Sequence, residues 1–130
     1  MFTKGLTPWS FILILLLGGY LLPAAAEEKT TGHYYREGDV DVFIPCGSDN
    51  AFWIRGEKSV LQPLQNALSK LNDAHPDSPR PLYVEITGHF EDNANSEGMA
   101  ADYDGLYRIE SVLANRGDNP ATCPVLVEND

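Results

Sequence analysis

Two aspartates near the end of the sequence have the spacing of a carboxylate pair. Asp102 and Asp104 flank Tyr103, and side chains two residues apart on a strand point to the same face of a sheet. Repulsion between them would hold a proton on one of the two, and a hydrolase acting on envelope material would need such a pair. A polar start to a strand explains the same spacing without chemistry.

Other catalytic arrangements are absent from the sequence. No serine stands in a G-x-S-x-G context, and neither a glycine-rich phosphate loop nor H-E-x-x-H occurs. We therefore predict no catalytic residues and no enzyme activity, with the hydrolase kept as an alternative.

An acidic segment has the oxygen ligands that calcium prefers. Its candidate ligands are Glu91, Asp92, Asn93, Asn95 and Glu97. The segment does not match an EF-hand, because Ala94 and Glu97 stand where a ligand and a glycine are required. A solvated loop is the simpler interpretation.

The three histidines and one methionine are candidate copper ligands, since imidazole and thioether groups suit that metal. They are His33, His75, His89 and Met99. Their spacing matches no metal motif, and His89 is expected to pack on a sheet beside Tyr83 or Phe90. We expect no metal and no cofactor, and calcium or copper binding stays an alternative.

Four aromatic side chains form a candidate ligand-binding surface: Tyr34, Tyr35, Trp53 and Tyr103. Exposed rings can stack on sugar rings or bases, although in a domain this small such rings also build the core. The chain has 9 Lys+Arg against 19 Asp+Glu, a formal charge of −10. Binding to nucleic acid phosphates needs the opposite charge, so no nucleic-acid partner is expected.

The first 26 residues have the features of a signal peptide. Lys4 precedes an uncharged run over 11–22, and Ala24 and Ala26 fit an A-x-A cleavage site. The run is shorter than the about 20 apolar residues that span a membrane, so we expect cleavage and no stable membrane insertion. An uncleaved anchor is the alternative, and no cysteine follows the run to carry a lipid.

Export determines how the two cysteines are interpreted. Cys46 and Cys123 are the only pair, and an exported chain meets an oxidising compartment. We predict a Cys46–Cys123 disulfide, with two free buried thiols as the alternative. The length and the 43% of hydrophobic residues suit a single domain over 27–130.

The elements that must position these residues follow from hydrophobic periodicity. A loose start over 27–31 is followed by strands near 32–37, 39–44 and 51–55. Apolar residues from Val60 to Leu71 recur at helical spacing. Ser59 and Gln62 resemble a capping box, which places Pro63 in the first turn.

Two more strands follow the predicted helix. Residues 82–87 alternate, Gly88 marks a bulge or bend, and a last strand lies within 103–113. Three strands, a helix and two strands form a mainly β (α+β) domain. This is the element order of a five-stranded barrel of the oligonucleotide/oligosaccharide-binding (OB) type, with one helix between strands 3 and 4 that plugs one end.

Several segments resemble a known family. They are Gly32-His33-Tyr34-Tyr35, Phe43-Ile44-Pro45-Cys46 and Val84-Glu85-Ile86-Thr87-Gly88-His89-Phe90, followed by the acidic loop and the late Cys123. Together they resemble the C-terminal barrel domain of the NlpE family of bacterial envelope lipoproteins. The resemblance implies an OB-type barrel, a place in the Gram-negative envelope and a role in stress sensing through a signalling kinase.

The sequence also departs from that family. The lipid-anchor cysteine and the copper-linked C-x-x-C pair of that family do not occur in these residues, and we expect no N-terminal barrel domain, no lipid anchor and no copper handling. We expect a periplasmic or secreted, non-enzymatic domain that interacts with an envelope protein or a glycan.

Overall fold

A computed structural model describes residues 28–92 and 98–125. The predicted signal peptide, with Ala24 and Ala26, lies outside the described residues. So do three of the candidate calcium ligands, Asn93, Asn95 and Glu97, and the side chain of Met99.

Five strands and two helices make up the domain. The strands are β1 (Glu28–Glu37), β2 (Val40–Pro45), β3 (Phe52–Arg55), β4 (Leu82–Glu91) and β5 (Gly105–Arg116). Helix α1 (Lys58–Asp73) lies between β3 and β4, and a short 3-10 helix (Gly98–Asp102) precedes β5. Within the described ranges, neither helix is long and apolar enough to cross a membrane.

The strands close into a barrel in the order β1-β2-β3-β5-β4. β3 pairs with β5 in parallel, and all other pairs, including the closing pair of β1 and β4, are antiparallel. A closed five-stranded barrel with a helix between its third and fourth strands confirms the predicted OB-like fold.

The inner face of the barrel forms the core. Tyr34, Phe43 and Phe52 are register partners on three adjacent strands, so they point to the same side. The inner face and helix contribute the main buried cluster, which consists of Tyr34, Phe43, Ile54, Leu64, Leu68, Leu82, Val84, Ile86, Tyr107 and Ile109. Leu64 and Leu68 belong to α1, which covers one end of the barrel as predicted.

Helix α1 begins earlier than predicted. The backbone N–H groups of Val60 and Leu61 already donate to the carbonyl of Glu57, which is the N-cap and forms no side-chain capping bond. The capping box at Ser59 and Gln62 is therefore wrong. Pro63 lies in the second turn, because five helical residues precede it.

The first described residues form a strand where a loose segment was expected. Residues 28–31 continue β1 and pair with β4 from Gly88 back to Glu85, which closes the barrel. The register between β4 and β5 shifts between Thr87 and Gly88, so the predicted bulge or bend is confirmed. β5 begins at Gly105, after Tyr103 rather than at it.

The predicted disulfide is present. Cys46 and Cys123 are joined, with their Cα atoms 4.9 Å apart. The bond holds the segment after β5 against the outer side of β1, where the ring of His33 lies 3.9 Å from the Cys123 sulfur. His33 also shares a 2.6 Å hydrogen bond with Asn119 and is only 5% exposed.

Candidate functional site

The outer side of the barrel brings three of the four predicted aromatic residues together. Tyr35, Val42 and Trp53 are register partners across β1, β2 and β3. Because they alternate with Tyr34, Phe43 and Phe52 of the core, they point outward. Tyr103, from the loop before β5, joins them, and we call Tyr35, Trp53 and Tyr103 the aromatic face.

The rings of the aromatic face are held in defined positions. The centroids of Trp53 and Tyr103 are 5.8 Å apart at 77°, an edge-to-face pair. The Arg55 guanidinium lies 5.7 Å from the Trp53 ring. Val42 points outward from the barrel and is nevertheless 0% exposed. The rings therefore form a small second apolar layer outside the barrel.

Tyr103 is fixed by a carboxylate. Its hydroxyl donates a 2.5 Å hydrogen bond to Oε1 of Glu37, which ends β1. This bond, followed by burial and the charge of Glu37, raises the pKa of Tyr103 to about 12. Burial and the same carboxylate also raise the pKa of Tyr35. Both phenols are therefore neutral at physiological pH and present uncharged rings.

The fourth predicted residue lies elsewhere. Tyr34 is 0% exposed and points into the barrel, where its hydroxyl donates to Asp41. Its assignment to a binding surface is wrong, because its register with Phe43 places it on the inner face. The alternative that such a ring builds the core is therefore correct for Tyr34.

A groove that was not predicted from the sequence lies beside the aromatic face. It has a volume of about 510 Å³ and shares Tyr35 with the aromatic face. Its surface comes from β1 and β2, the loop after β2, helix α1, the segment before β4 and the segment after the disulfide. These segments are distant in sequence, so periodicity carried no signal for the groove.

The candidate copper ligands are dispersed. His33 is buried beside Asn119, and His75 Nδ1 lies 3.0 Å from the carbonyl of Leu71. His89 is exposed and lies 2.9 Å from Glu91, and its packing beside Tyr83 or Phe90 stays a prediction. Over residues 28–92 and 98–125, no three His, Cys, Asp or Glu side chains cluster closely enough to hold a metal ion.

Glu91, a candidate calcium ligand, is in contact with Arg108 and His89. Oε2 of Glu91 accepts bonds from Arg108 at 3.0 Å and lies 2.9 Å from His89. The bond from Arg108, with that of His89, lowers the pKa of Glu91. These contacts engage one of the two oxygens that the Glu91 carboxylate could offer to calcium.

The carboxylate pair does not form on a strand. Asp102 ends the 3-10 helix, and Asp104 precedes β5. Oδ2 of Asp104 accepts a 2.8 Å bond from the N–H of Ala51, and the N–H of Asp104 donates to the Ala51 carbonyl at 2.9 Å. Asp104 thus joins two loops, and the premise that it shares a strand face with Asp102 is wrong.

Comparisons with known proteins give one similar structure. No family model matches the sequence, and no curated protein matches it. Among solved structures, the chain is similar to the crystal structure of the Cpx pathway activator NlpE from Escherichia coli, with 18% sequence identity and a TM-score of 0.45. The match covers 75% of this chain and 46% of that chain, so this chain spans less than half the length of the protein it matches. The similar structure thus comes from the family that the sequence resembles.

Proposed function

We propose that this chain is an exported, non-enzymatic domain of the bacterial envelope that binds a glycan through its aromatic face. The observation that carries the proposal is the pairing of Trp53 and Tyr103 on the outer side of the barrel, apart from the main buried cluster. Flat apolar rings stack on the apolar faces of sugars. The adjacent Glu37 carboxylate accepts hydrogen bonds, as a group that binds sugar hydroxyls must.

Charge and compartment support a glycan as the ligand. A chain of formal charge −10 repels nucleic acid phosphates but not neutral sugars. The disulfide agrees with an extracytoplasmic compartment, and the apolar run before Ala24 and Ala26 supports export. The periplasm or the cell exterior supplies the glycans that such a domain would meet.

We propose binding without turnover because the carboxylates that a hydrolase could use as acid or base already form other bonds in this structure. Asp104 bonds the backbone of Ala51, and Glu91 pairs with Arg108. A role in envelope stress sensing, in which ligand occupancy is reported to a protein partner, would use such a binding domain.

The test uses the exported protein and titration with soluble glycans, both chitin oligosaccharides and peptidoglycan glycan strands. The sequence contains two tryptophans, and removal of residues 1–26 leaves Trp53 alone, so its fluorescence reports directly on the aromatic face. We expect saturable binding, and calorimetry should show that Trp53→Leu weakens it at least about fivefold, since stacking contributes about 1–3 kcal/mol. Leucine keeps an apolar side chain at this position but removes the flat ring.

The matched control is Phe90→Leu. Phe90 is 47% exposed but lies on β4, away from the aromatic face, where it packs on Phe52 and Tyr107. Its replacement should leave glycan affinity unchanged. Equal affinity of Trp53→Leu and the unaltered protein for every glycan that binds, or no binding at millimolar concentration, would refute the proposal. If the unaltered protein captures an envelope protein and Trp53→Leu does not, the ligand of the aromatic face is a protein.

A further inference from the structure

The groove beside the aromatic face has the size and lining of a ligand site. Its volume of about 510 Å³ lies within the range of small-molecule pockets. Ile44 from β2, Leu68 from α1 and several proline rings provide apolar surface. Two charged side chains, Arg80 and Asp49, lie on two separate loops of the groove and could bind charged groups of a ligand.

Arg80 is presented to the groove by a rigid backbone. Pro79 and Pro81 flank it and fix their own φ angles. Its N–H donates a 2.8 Å bond to Oδ1 of Asn72 at the end of α1. Within the described part of the chain, the guanidinium donates one side-chain hydrogen bond, to the Ser78 hydroxyl at 3.3 Å, and it forms no ion pair. An arginine in this state retains most of its donors for a carboxylate.

Asp49 provides the opposite charge from the turn after β2. Gly47 has a φ of 76°, and the Ser48 hydroxyl accepts a 2.9 Å bond from the N–H of Asn50, so the turn around Asp49 is well defined. The Asp49 carboxylate is exposed and has no ion pair with any residue in 28–92 or 98–125. It is therefore open to an ammonium group.

The other ionisable groups of the groove are already engaged. Arg36 pairs with Asp41 at 3.2 Å and donates to the Asp39 carbonyl. His33 is buried against Asn119. The groove thus offers one cation, Arg80, and one anion, Asp49, that form no internal ion pair within the described residues, and its lining also includes apolar side chains.

We infer that the groove binds a short peptide with a free amino and a free carboxyl group. Arg80 binds the carboxylate, Asp49 binds the ammonium group, and an aliphatic side chain of the peptide packs on Ile44 and Leu68. The site is separate from the glycan surface, which it adjoins at Tyr35, and it does not depend on the glycan proposal. A zwitterionic ligand also explains why a strongly acidic chain keeps an unpaired arginine here.

Calorimetry with the exported protein tests this inference. The probe is the tripeptide Ala-Val-Ala with free termini, compared with its N-acetylated and its C-amidated forms. We expect the free tripeptide to bind, and each blocking group to weaken binding about tenfold, because a hydrogen-bonded charge is lost. Arg80→Gln and Asp49→Asn should each weaken binding of the free tripeptide by a similar factor.

The variants should also lose discrimination selectively. Arg80→Gln should no longer distinguish the carboxylate from the amide, and Asp49→Asn should no longer distinguish the amine from its acetylated form. Arg108→Gln and Glu110→Gln are matched controls outside the groove and should keep full affinity.

The outcomes separate this site from the aromatic face. Trp53→Leu should leave tripeptide binding intact. A protein that binds no glycan but binds the tripeptide would therefore contradict the proposed function and not the peptide site. The inference is overturned if the free tripeptide does not bind at millimolar concentration or if the blocked forms bind equally well. It is also overturned if Arg80→Gln and Asp49→Asn retain full discrimination.

Discussion

The hydroxyl of Tyr34 donates a 2.5 Å hydrogen bond to Oδ1 of Asp41, which places a carboxylate at the end of the core that α1 covers. Asp41 is buried, and it also receives Nε2 of Gln65 at 3.3 Å and pairs with Arg36 at 3.2 Å. Burial and the bond to Asp41 raise the pKa of Tyr34 above its usual range. A single carboxylate therefore connects β1, β2 and α1.

Removal of this hydroxyl should destabilise the fold. Tyr34→Phe keeps the ring in the core but leaves the buried Asp41 with one donor fewer, which costs about 1–3 kcal/mol. Urea unfolding followed by circular dichroism measures the loss. Tyr35→Phe removes a hydroxyl on the outer face and should shift the midpoint much less. Equal midpoints for the two variants would contradict the role of Asp41.

The bond between Tyr103 and Glu37 should be visible in a spectrophotometric titration. Difference spectra between the protein and Tyr103→Phe should give a pKa of about 12 for this phenol. In a Glu37→Gln background the pKa should fall toward the ordinary value of 10.0, because the bond to the carboxylate is the main cause of the shift. An unchanged titration in Glu37→Gln would show that the bond does not form.

The raised pKa of Tyr103 also makes the stability of the fold depend on pH. The folded state holds the Tyr103 proton more tightly than the unfolded chain does. The stabilisation from this proton is therefore complete below pH 10 and is lost as the pH rises toward 12. The free energy of unfolding should therefore fall over this range, and it should fall less steeply in Glu37→Gln.

Much of the fold was predictable because its signals are local. Alternation identified the strands, and helical spacing identified α1 with its buried Leu64 and Leu68. Where the prediction failed, long-range contacts decided the structure. Residues 28–31 have a polar sequence and become a strand because β4 pairs with them.

The site was only partly predictable for the same reason. Sequence composition identified Tyr35, Trp53 and Tyr103 as candidates, but only strand register distinguishes them from Tyr34, which alternates to the inner face. The groove contains Asp49 and Arg80, which come from loops 31 residues apart in number and have no common motif. Polar residues on loops follow no periodic pattern in the sequence, so their proximity can be recognised only in the folded structure.

Gly88 should tolerate no side chain. A Cβ atom there would lie 2.1 Å from the carbonyl oxygen of Arg108 and 2.9 Å from the Tyr107 hydroxyl, and the first of these is backbone. Gly88→Ala must therefore displace β5 from β4, and we expect a loss of about 2–3 kcal/mol or more in the free energy of unfolding. Denaturant midpoints provide the measurement.

Gly47→Ala is the control for Gly88→Ala. A Cβ atom at Gly47 meets nothing within 4 Å, but the residue has a φ of 76°, so only backbone strain of about 1–2 kcal/mol is expected. A Gly88→Ala protein that is as stable as Gly47→Ala would show that the two strands do not approach as closely as described.

The disulfide should contribute strongly to stability because it closes a long loop. Cys46 and Cys123 are 77 residues apart, and the chain-entropy model gives about 4–5 kcal/mol for a loop of that length. The Cys46→Ser/Cys123→Ser double variant should lose most of this amount in urea unfolding. The unaltered protein in reducing agent should behave in the same way, while the double variant should not respond to reductant.

The position of the bond also predicts where the reduced protein opens first. Besides the disulfide, the His33–Asn119 hydrogen bond holds the segment after β5 on the barrel. Limited proteolysis of the reduced protein should therefore cut within 117–125 before it cuts any strand. Asn119→Ala in the oxidised protein removes the hydrogen bond alone and should leave this segment protected. If both sulfurs of the native exported protein can be alkylated freely, the Cys46–Cys123 bond does not hold this segment on the barrel.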